Sequence, residues 1–200
     1  MPESGEGSAE AAQLDLVLAE ADTLMARFRG LLRISELEDR QRRSGFVQLD
    51  PVPLLQELHD FYLPLAEEGE LVFQLQLPES LPSLNGDRAL LFEAIANLLS
   101  NSIKFTPPGG EVILRGLNEG GHTRIEVLDS GPGIALAERE AVFRRFYRAE
   151  GGNQQSGFGL GLSIVAAIVS LHGFSLDVGT SERGGARLVL DCRQSLIAQT

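Results

Sequence analysis

The stretch ANLLSNSIKFTPPGG, residues 96–110, decides how the rest of the chain is read. It begins as a leucine-rich helix and ends in the turn PPGG. Asn97 and Asn101 stand one helical turn apart, and Lys104 follows three residues later, so two amides and a cation occupy neighbouring positions of one helix. Asparagine is a poor interior helix residue, and two of them here ask for a chemical reason. An amide carbonyl oxygen can complete the shell of Mg²⁺, which prefers hard oxygen ligands and keeps several waters while nucleotide phosphates supply the rest. Asn97 can meet a phosphate or an ion-bound water. Lys104 is the only lysine in the chain and offers a mobile positive charge to phosphate oxygens. A helix-cap region with two ordinary asparagines is the plainer alternative.

Two glycine-bearing stretches extend this reading. LDSGPGI, residues 128–134, follows a predicted strand. The Asp129 carboxylate can accept a hydrogen bond from an adenine amino group, while Gly131 and Gly133 permit a close backbone approach. A tight turn explains the same residues more blandly. SGFGLGLS, residues 156–163, sets Gly157, Gly159 and Gly161 just before an apolar helix, whose first amides form an anion site. A Rossmann fingerprint would follow the first strand of a βαβ unit, and a Walker loop would end in GK[ST]; neither pattern is present. Between the two stretches lies VFRRFYRAE, residues 142–150. Its Phe143 and Phe146 are expected to anchor in the core, and Tyr147 to line the ribose or adenine edge. Arg144, Arg145 and Arg148 are candidates for phosphates or a partner domain, against a surface role for each taken singly. Residues 149–156 read as a flexible lid.

The composition limits the alternatives. Seventeen Lys and Arg against 28 Asp and Glu give a net charge of −11, which argues against nonspecific nucleic-acid binding. One cysteine, Cys192, excludes an internal disulfide and a multi-cysteine metal site and fits a reducing compartment. No apolar run has the length of a membrane span and the first residues do not resemble a signal peptide, so the expected location is cytoplasmic.

Residues 1–10 read as a disordered start or linker. From 11 to 41, Leu14, Leu18, Ala21, Met25, Phe28 and Leu32 form a heptad seam, widened by Val17, Leu24, Leu31 and Ile34. That stripe fits a helix bundle or a helix packed on a domain, and a homodimer through 11–41 is one way to cover it. Phe46–Leu49 reads as a short strand, and a helix runs from Pro51 or Val52 to about Glu68, with Pro64 late in it. LVFQLQL at 71–77 alternates as a strand does. Asp87 caps a helix through about Ile103. EVILRGL and TRIEVLD are strands, residues 136–146 and 160–172 read as helices, and FSLDVGT and ARLVLDC close as a hairpin. The fold expected is a two-layer α/β sandwich: a mixed, mainly antiparallel sheet on about three helices, with an N-terminal helical arm.

The order of these pieces resembles the catalytic and ATP-binding domain of sensor histidine kinases, within the wider ATPase group of gyrase, the HSP90 chaperone and MutL. ANLLSNSIKFTPPGG looks like the N box, DSGPG the G1 box, VFRRFYR the F box and SGFGLGLSIV the G2 box. ERGGARLVL is similar to a degenerate last glycine box, where many relatives carry threonine or serine near the adenine and this chain has Ala186. The resemblance implies Asn101 as the magnesium ligand, Lys104 as the phosphate-contacting base and Asp129 as the acid that reads adenine. It implies nucleotide contacts from Asn97, Gly131, Gly133, Tyr147, Arg148, Gly157, Gly159, Leu160 and Gly161, with ATP and Mg²⁺ as cofactors. It divides the chain into 1–10, a partial dimerisation and phosphoacceptor helix at 11–43, a catalytic domain at 44–193 and a tail at 194–200. The expected reaction moves the γ-phosphoryl of ATP to a histidine on a bundle outside this chain, because His59, His122 and His172 lie in no stretch like the family's HELRTPL. The chain then resembles a piece of a longer kinase, or a short protein without the first bundle helix. A response regulator and anchoring of the parent kinase in the bacterial inner membrane are further family implications. Three alternatives accompany this reading: a non-enzymatic nucleotide-binding regulator, a serine kinase of the anti-sigma type, and an ATP-hydrolysing switch. The last needs a glutamate where Asn97 stands, and Glu93 lies a turn farther back.

Overall fold

The computed structural model describes residues 17, 18, 21, 24, 25, 28–37, 45–147 and 159–193. The expectations for 1–16, 38–44, 148–158 and 194–200, including Leu14 of the seam, the lid, Arg148 and Gly157, fall outside the described residues. The described residues between 17 and 37 are all helical and form α1. There follow β1 (Val47–Leu49), α2 (Pro51–Glu68), β2 (Val72–Gln76), β3 (Leu84–Gly86), α3 (Arg88–Phe105), β4 (Glu111–Glu119), β5 (His122–Asp129), α4 (Gly161–His172), β6 (Ser175–Thr180) and β7 (Ala186–Asp191).

Five strands make the main sheet in the order β2-β4-β5-β7-β6, and β1 pairs separately with β3. Only β2 and β4 run parallel. A parallel pair needs a long crossover, and α3 is that crossover. It is thereby laid across the sheet with its asparagines toward α4. Strand alternation puts Val112 and Leu114 of β4, Ile125 and Val127 of β5, and Leu188 and Leu190 of β7 on the helix-covered face, where they are buried with Leu91, Ile95, Leu98, Val165 and Ile168. The two-layer sandwich with its helical arm is thus the observed architecture.

The opposite face holds Ile113, Leu128 and Val189, also buried. Ion pairs cover them. Glu126 is 1% exposed between Arg187 and Arg115, and Arg115 also reaches Glu182 at 2.6 Å. Arg183 meets Glu111 at 2.9 Å. Hydrogen bonding to Glu126 holds the Arg187 guanidinium above its ordinary pKa.

Local chemistry fixes the helix ends near the site. Asp87 caps α3 by accepting from the Ala89 and Leu90 N–H groups. The Asp87 N–H donates to His172 Nε2 at 3.0 Å, while His172 Nδ1 lies 2.8 Å from the Ile168 carbonyl and carries the hydrogen. His172 is buried and stacks on Phe46 with centroids 4.5 Å apart. It pins the end of α4 to the start of α3, and Gly86 leaves the space for its ring.

Two expectations need correction. Residues 136–146 are not one helix but two 3-10 turns, Leu136–Glu138 and Ala141–Phe143. Leu136 is 81% exposed, so that segment has no continuous apolar face to bury, and Arg139 ties it instead to the Ile134 carbonyl and Thr180. Phe143 packs on the core, but Phe146 is exposed, at φ +63°. Its N–H is drawn to the Gly159 carbonyl, and the left-handed turn that allows this swings the ring outward. In α1 the seam residues Leu18, Met25, Phe28 and Leu32 are exposed, whereas Ile34 and Leu37 are buried. Among its described residues, the arm packs on the domain through Gly30, Arg33, Ile34 and Leu37. The short strand β3 was not expected; its SLNG sequence has no strand signature, and pairing with β1 creates it. Among the described residues no helix is long and apolar enough to cross a membrane.

Glu126→Ala is expected to lower unfolding free energy by about 2 kcal/mol, below the usual cost of breaking a buried pair because both arginines are partly exposed. Glu182→Ala, on the exposed rim, should leave the melt nearly unchanged. Denaturant melts of the two variants check the contrast. Burial, with the Asp191 charge adding to it, pushes the Cys192 thiol up to about 12. The folded state therefore favours the protonated thiol. Its contribution to stability is full below the unfolded thiol value near ~8.5 and is lost as pH rises from there toward about 12. Alkylation at pH 8 should be slow in the native protein and fast in denaturant.

Candidate functional site

The site lies where the second half of α3, the start of α4 and the ends of β5 and β7 converge. Asn97 and Asn101 both face Gly161, the first residue of α4. A Cβ placed on Gly161 would stand 3.1 Å from Asn97 Oδ1 and 3.6 Å from Asn101 Nδ2. Asn97 Nδ2 donates to the Glu93 carbonyl at 2.9 Å. The amide nitrogen is therefore committed to its own helix, and the oxygen, an acceptor, is the atom turned to the site. Asn101 is half-buried one turn on. Lys104 is in the last turn of α3, with Nζ 5.0 Å from the Phe105 ring centroid.

The start of α4 has no side-chain cap, since Leu160 occupies that position. The first-turn amides are thus open to an anion, in the environment where the helix dipole favours one. Gly159, at φ +67°, lets the backbone turn into the helix. A Cβ there would fall 2.6 Å from the Tyr147 carbonyl, so the F-box segment and the glycine run meet backbone to backbone. Tyr147 itself donates its hydroxyl to Glu138 at 3.0 Å.

Asp129 closes the far end of the site and is 5% exposed. Its Oδ1 accepts from the Gly131 N–H at 3.0 Å and the Ala186 N–H at 2.9 Å. Its Oδ2 accepts from the Ser102 hydroxyl at 3.1 Å. A Cβ on Gly185 would lie 2.2 Å from Oδ1, so only glycine fits there. A Cβ on Gly131 would lie 3.0 Å from the Phe105 carbonyl, and Gly133, at φ +73°, sits against Gly185.

Of the residues expected at a site, Asn97, Asn101, Asp129, Gly131, Gly133, Gly159, Leu160 and Gly161 therefore sit in one connected region, with Lys104 and Tyr147 at its margins. Ser102 was missed in the sequence, and Gly185, inside the ERGGARLVL stretch, was not singled out. Ser102 sits beside Asn101 inside an apolar helix, where a serine carries no signal of its own; only the fold puts it on Asp129.

The arm reaches the same region. Arg33 Nε donates to both Glu93 carboxylate oxygens at 3.2 Å, and Nη2 donates at 2.5 Å. The Glu93 hydrogen bonds hold the guanidinium above its ordinary pKa. Gly30 lies against Leu160, whose Cδ1 would be 2.5 Å from an added Cβ. Glu93, one turn before Asn97, is engaged by this arginine.

Among the described residues no cluster of three His, Cys, Asp or Glu could hold a metal ion. An ion here would depend on amide oxygen, water and the ligand's own oxygens, which is how Mg²⁺ is held with nucleotides. The donor set fits a magnesium nucleotide: a buried acceptor for a base amino group, glycines that admit backbone contact, and open helix-start amides for phosphates.

The histidine kinase-, DNA gyrase B- and HSP90-like ATPase family matches residues 86–195, more than half of the chain. The chain belongs to that family. Among its relatives is the sensor protein kinase PmrB of Pseudomonas aeruginosa, 36% identical over 174 residues, which cover 80% of this chain and 36% of PmrB. The structure of full-length ShkA in complex with AMPPNP is similar at a TM-score of 0.75 and 25% identity, covering 91% of this chain and 38% of ShkA. The mycobacterial sensor histidine kinase MprB is similar at a TM-score of 0.62 and 29% identity, over 74% of this chain and 99% of that one. PmrB and MprB are both sensor kinases, and the chain spans little more than a third of PmrB's length.

Gly161→Ala tests the close approach of α3 and α4. Alanine favours a helix over glycine by about 1 kcal/mol, so the melting temperature should not fall. The added methyl crowds Asn97 Oδ1, so ATP affinity should drop. Thermal melts and nucleotide titration on the same variant separate the two effects.

Proposed function

We propose that the chain binds Mg-ATP between α3 and α4 and passes its γ-phosphoryl to a histidine that it does not itself carry. The observation that supports this most is the pair Asn97 and Asn101 facing the uncapped start of α4, with buried Asp129 at the other end. In this reading Asn101 contributes its amide oxygen to the ion, and Asn97 Oδ1 accepts from an ion-bound water. Magnesium, when bound, supplies neutralisation of charge on the phosphate oxygens. Lys104 and the amides following Gly159 and Gly161 hold the remaining phosphate charge. Asp129 accepts from the exocyclic amino group of the base and sets the register of the nucleotide. Gly131 and Gly133 keep the wall beside it flat, Leu160 packs beneath the phosphate-binding turn, and Tyr147, with Arg148 and Gly157, belongs to the segment that borders the nucleotide. The acceptor imidazole nitrogen attacks in line, an N–P bond forms, the bond from the γ-phosphorus to the bridging oxygen breaks, and ADP leaves.

The three histidines of the chain are committed elsewhere. His172 is buried with both nitrogens bonded, His122 pairs with Asp191 at 3.1 Å, and His59 packs on Phe73. The acceptor belongs to a bundle in the same parent protein or in a partner. Residues 11–43 are proposed as one helix of such a bundle and 44–193 as the catalytic domain. The exposed Leu18, Met25, Phe28 and Leu32 are available to companion helices, including those of a second copy. A response regulator downstream and membrane anchoring of the parent protein complete the proposal. AMPPNP in ShkA supports the choice of an adenine nucleotide. Rapid hydrolysis is not expected, because Asn97 cannot act as a base and Glu93 is held by Arg33.

Titration calorimetry with ATP, with and without Mg²⁺, tests the site. Asn101→Ala should weaken binding by about tenfold or more, roughly the value of one charge-assisted contact, and should remove most of the Mg²⁺ dependence. A variant that binds with full affinity and full Mg²⁺ dependence sinks the assignment of Asn101. Phosphotransfer to an added histidine-bearing bundle tests the reaction, and binding without any transfer would move the regulator reading ahead.

A further inference from the structure

A carboxylate has two oxygens with about four lone-pair directions in all. Both directions on Asp129 Oδ1 are used by backbone, through Gly131 and Ala186. On Oδ2 the Ser102 hydroxyl uses one, which leaves a single acceptor direction. Neither side chain can turn away from this arrangement. Ser102 is 2% exposed and Asp129 is 5% exposed. Ser102 is itself held from behind, because its carbonyl accepts from the Thr106 hydroxyl at 2.6 Å and the Thr106 N–H at 3.1 Å.

We propose that Ser102 is a positioning residue that limits Asp129 to one free acceptor and so sets the base preference of the pocket. The inference rests on the nucleotide reading above and extends it to specificity. A base with one exocyclic amino group satisfies that lone acceptor, and adenine is such a base. A base with a carbonyl at the same place brings oxygen against the carboxylate. Guanine turned to offer its two adjacent N–H groups needs both carboxylate oxygens, and Oδ1 is already filled. Without the Ser102 hydroxyl, Oδ2 has two free directions and Asp129 loses its lateral restraint. The carboxylate can then tilt toward water, and the amino group of adenine no longer meets a fixed partner.

The test is calorimetric titration of the full chain with Mg-ATP, Mg-ITP and Mg-GTP. The base of ITP, hypoxanthine, carries a carbonyl in place of adenine's amino group and a hydrogen on the adjacent ring nitrogen. The unsubstituted chain should favour ATP over both others by at least about tenfold, as expected when a buried polar group is left unpaired. Ser102→Ala removes the hydroxyl, and Ser102→Cys keeps the volume with a much weaker donor. Both should narrow the ATP-to-ITP and ATP-to-GTP ratios by about fivefold to tenfold while melting cooperatively. A purely structural serine would change the melts and leave those ratios alone, and that result overturns the proposal. So does a cysteine variant with the original ratios, which would make packing the cause. Equal affinity of the unsubstituted chain for the three nucleotides overturns it without any variant. If the unsubstituted chain binds none of them, the nucleotide reading fails first and this inference falls with it.

Discussion

A carboxylate out of water has to be surrounded by donors, and the site depends on how Asp129 meets that requirement. Its donors come from the loop after β5, from the first residue of β7 and from near the end of α3. Hydrogen bonds to a buried charge contribute about 1.5–3 kcal/mol each and are costly to leave unmade. One side chain therefore ties the helical layer to the ends of two strands. Gly185 has to lack a side chain because β7 passes so close to the carboxylate oxygen. The glycines in this region serve the approach of backbone to a charge as much as the turning of the chain.

The other end of the site depends on the distance between α3 and α4. His172 ties the last turn of α4 to the residue that caps α3, using both ring nitrogens. The apolar contacts of Ile95, Leu98, Val165 and Ile168 fill the space between. With those helices fixed, Asn97 and Asn101 face the glycine that begins α4. Asn97 has spent its nitrogen on Glu93, so the site receives an oxygen. The polarity of this wall follows from one local hydrogen bond.

The arm adds a connection that the heptad seam did not suggest. Its seam residues look outward, while Arg33, Ile34 and Leu37 hold its end to the domain. Gly30 touches Leu160, so the arm contacts the turn that leads into α4. The expectation of one helix across 136–146 failed for a related reason. In that segment Arg139 binds Thr180 and Glu138 accepts from Tyr147 just beyond it, and two short turns serve those bonds better than a helix without a buried face.

What the sequence determined by itself was the local and periodic part. Alternation marked β2, EVILRGL and TRIEVLD read as the strands β4 and β5, Asp87 announced the start of α3, and Asn97 with Asn101 stood out because asparagine is unfavourable inside a helix. Asp129, Gly131, Gly159 and Gly161 were legible from the order in which their stretches follow ANLLSNSIKFTPPGG, since a tight turn explains each stretch taken alone. Only the tertiary structure decided which of these groups meet. Ser102 reaches Asp129 and Arg33 reaches Glu93 across separations in the chain that no periodicity encodes. The strand β3 exists because β1 offers it a partner, and Ile113, Leu128 and Val189 are buried by an ion-pair lattice rather than by a second layer of helices. Periodicity reports which face of an element is apolar; the partner of a polar side chain is set by packing, which brings together residues that have no relation along the chain.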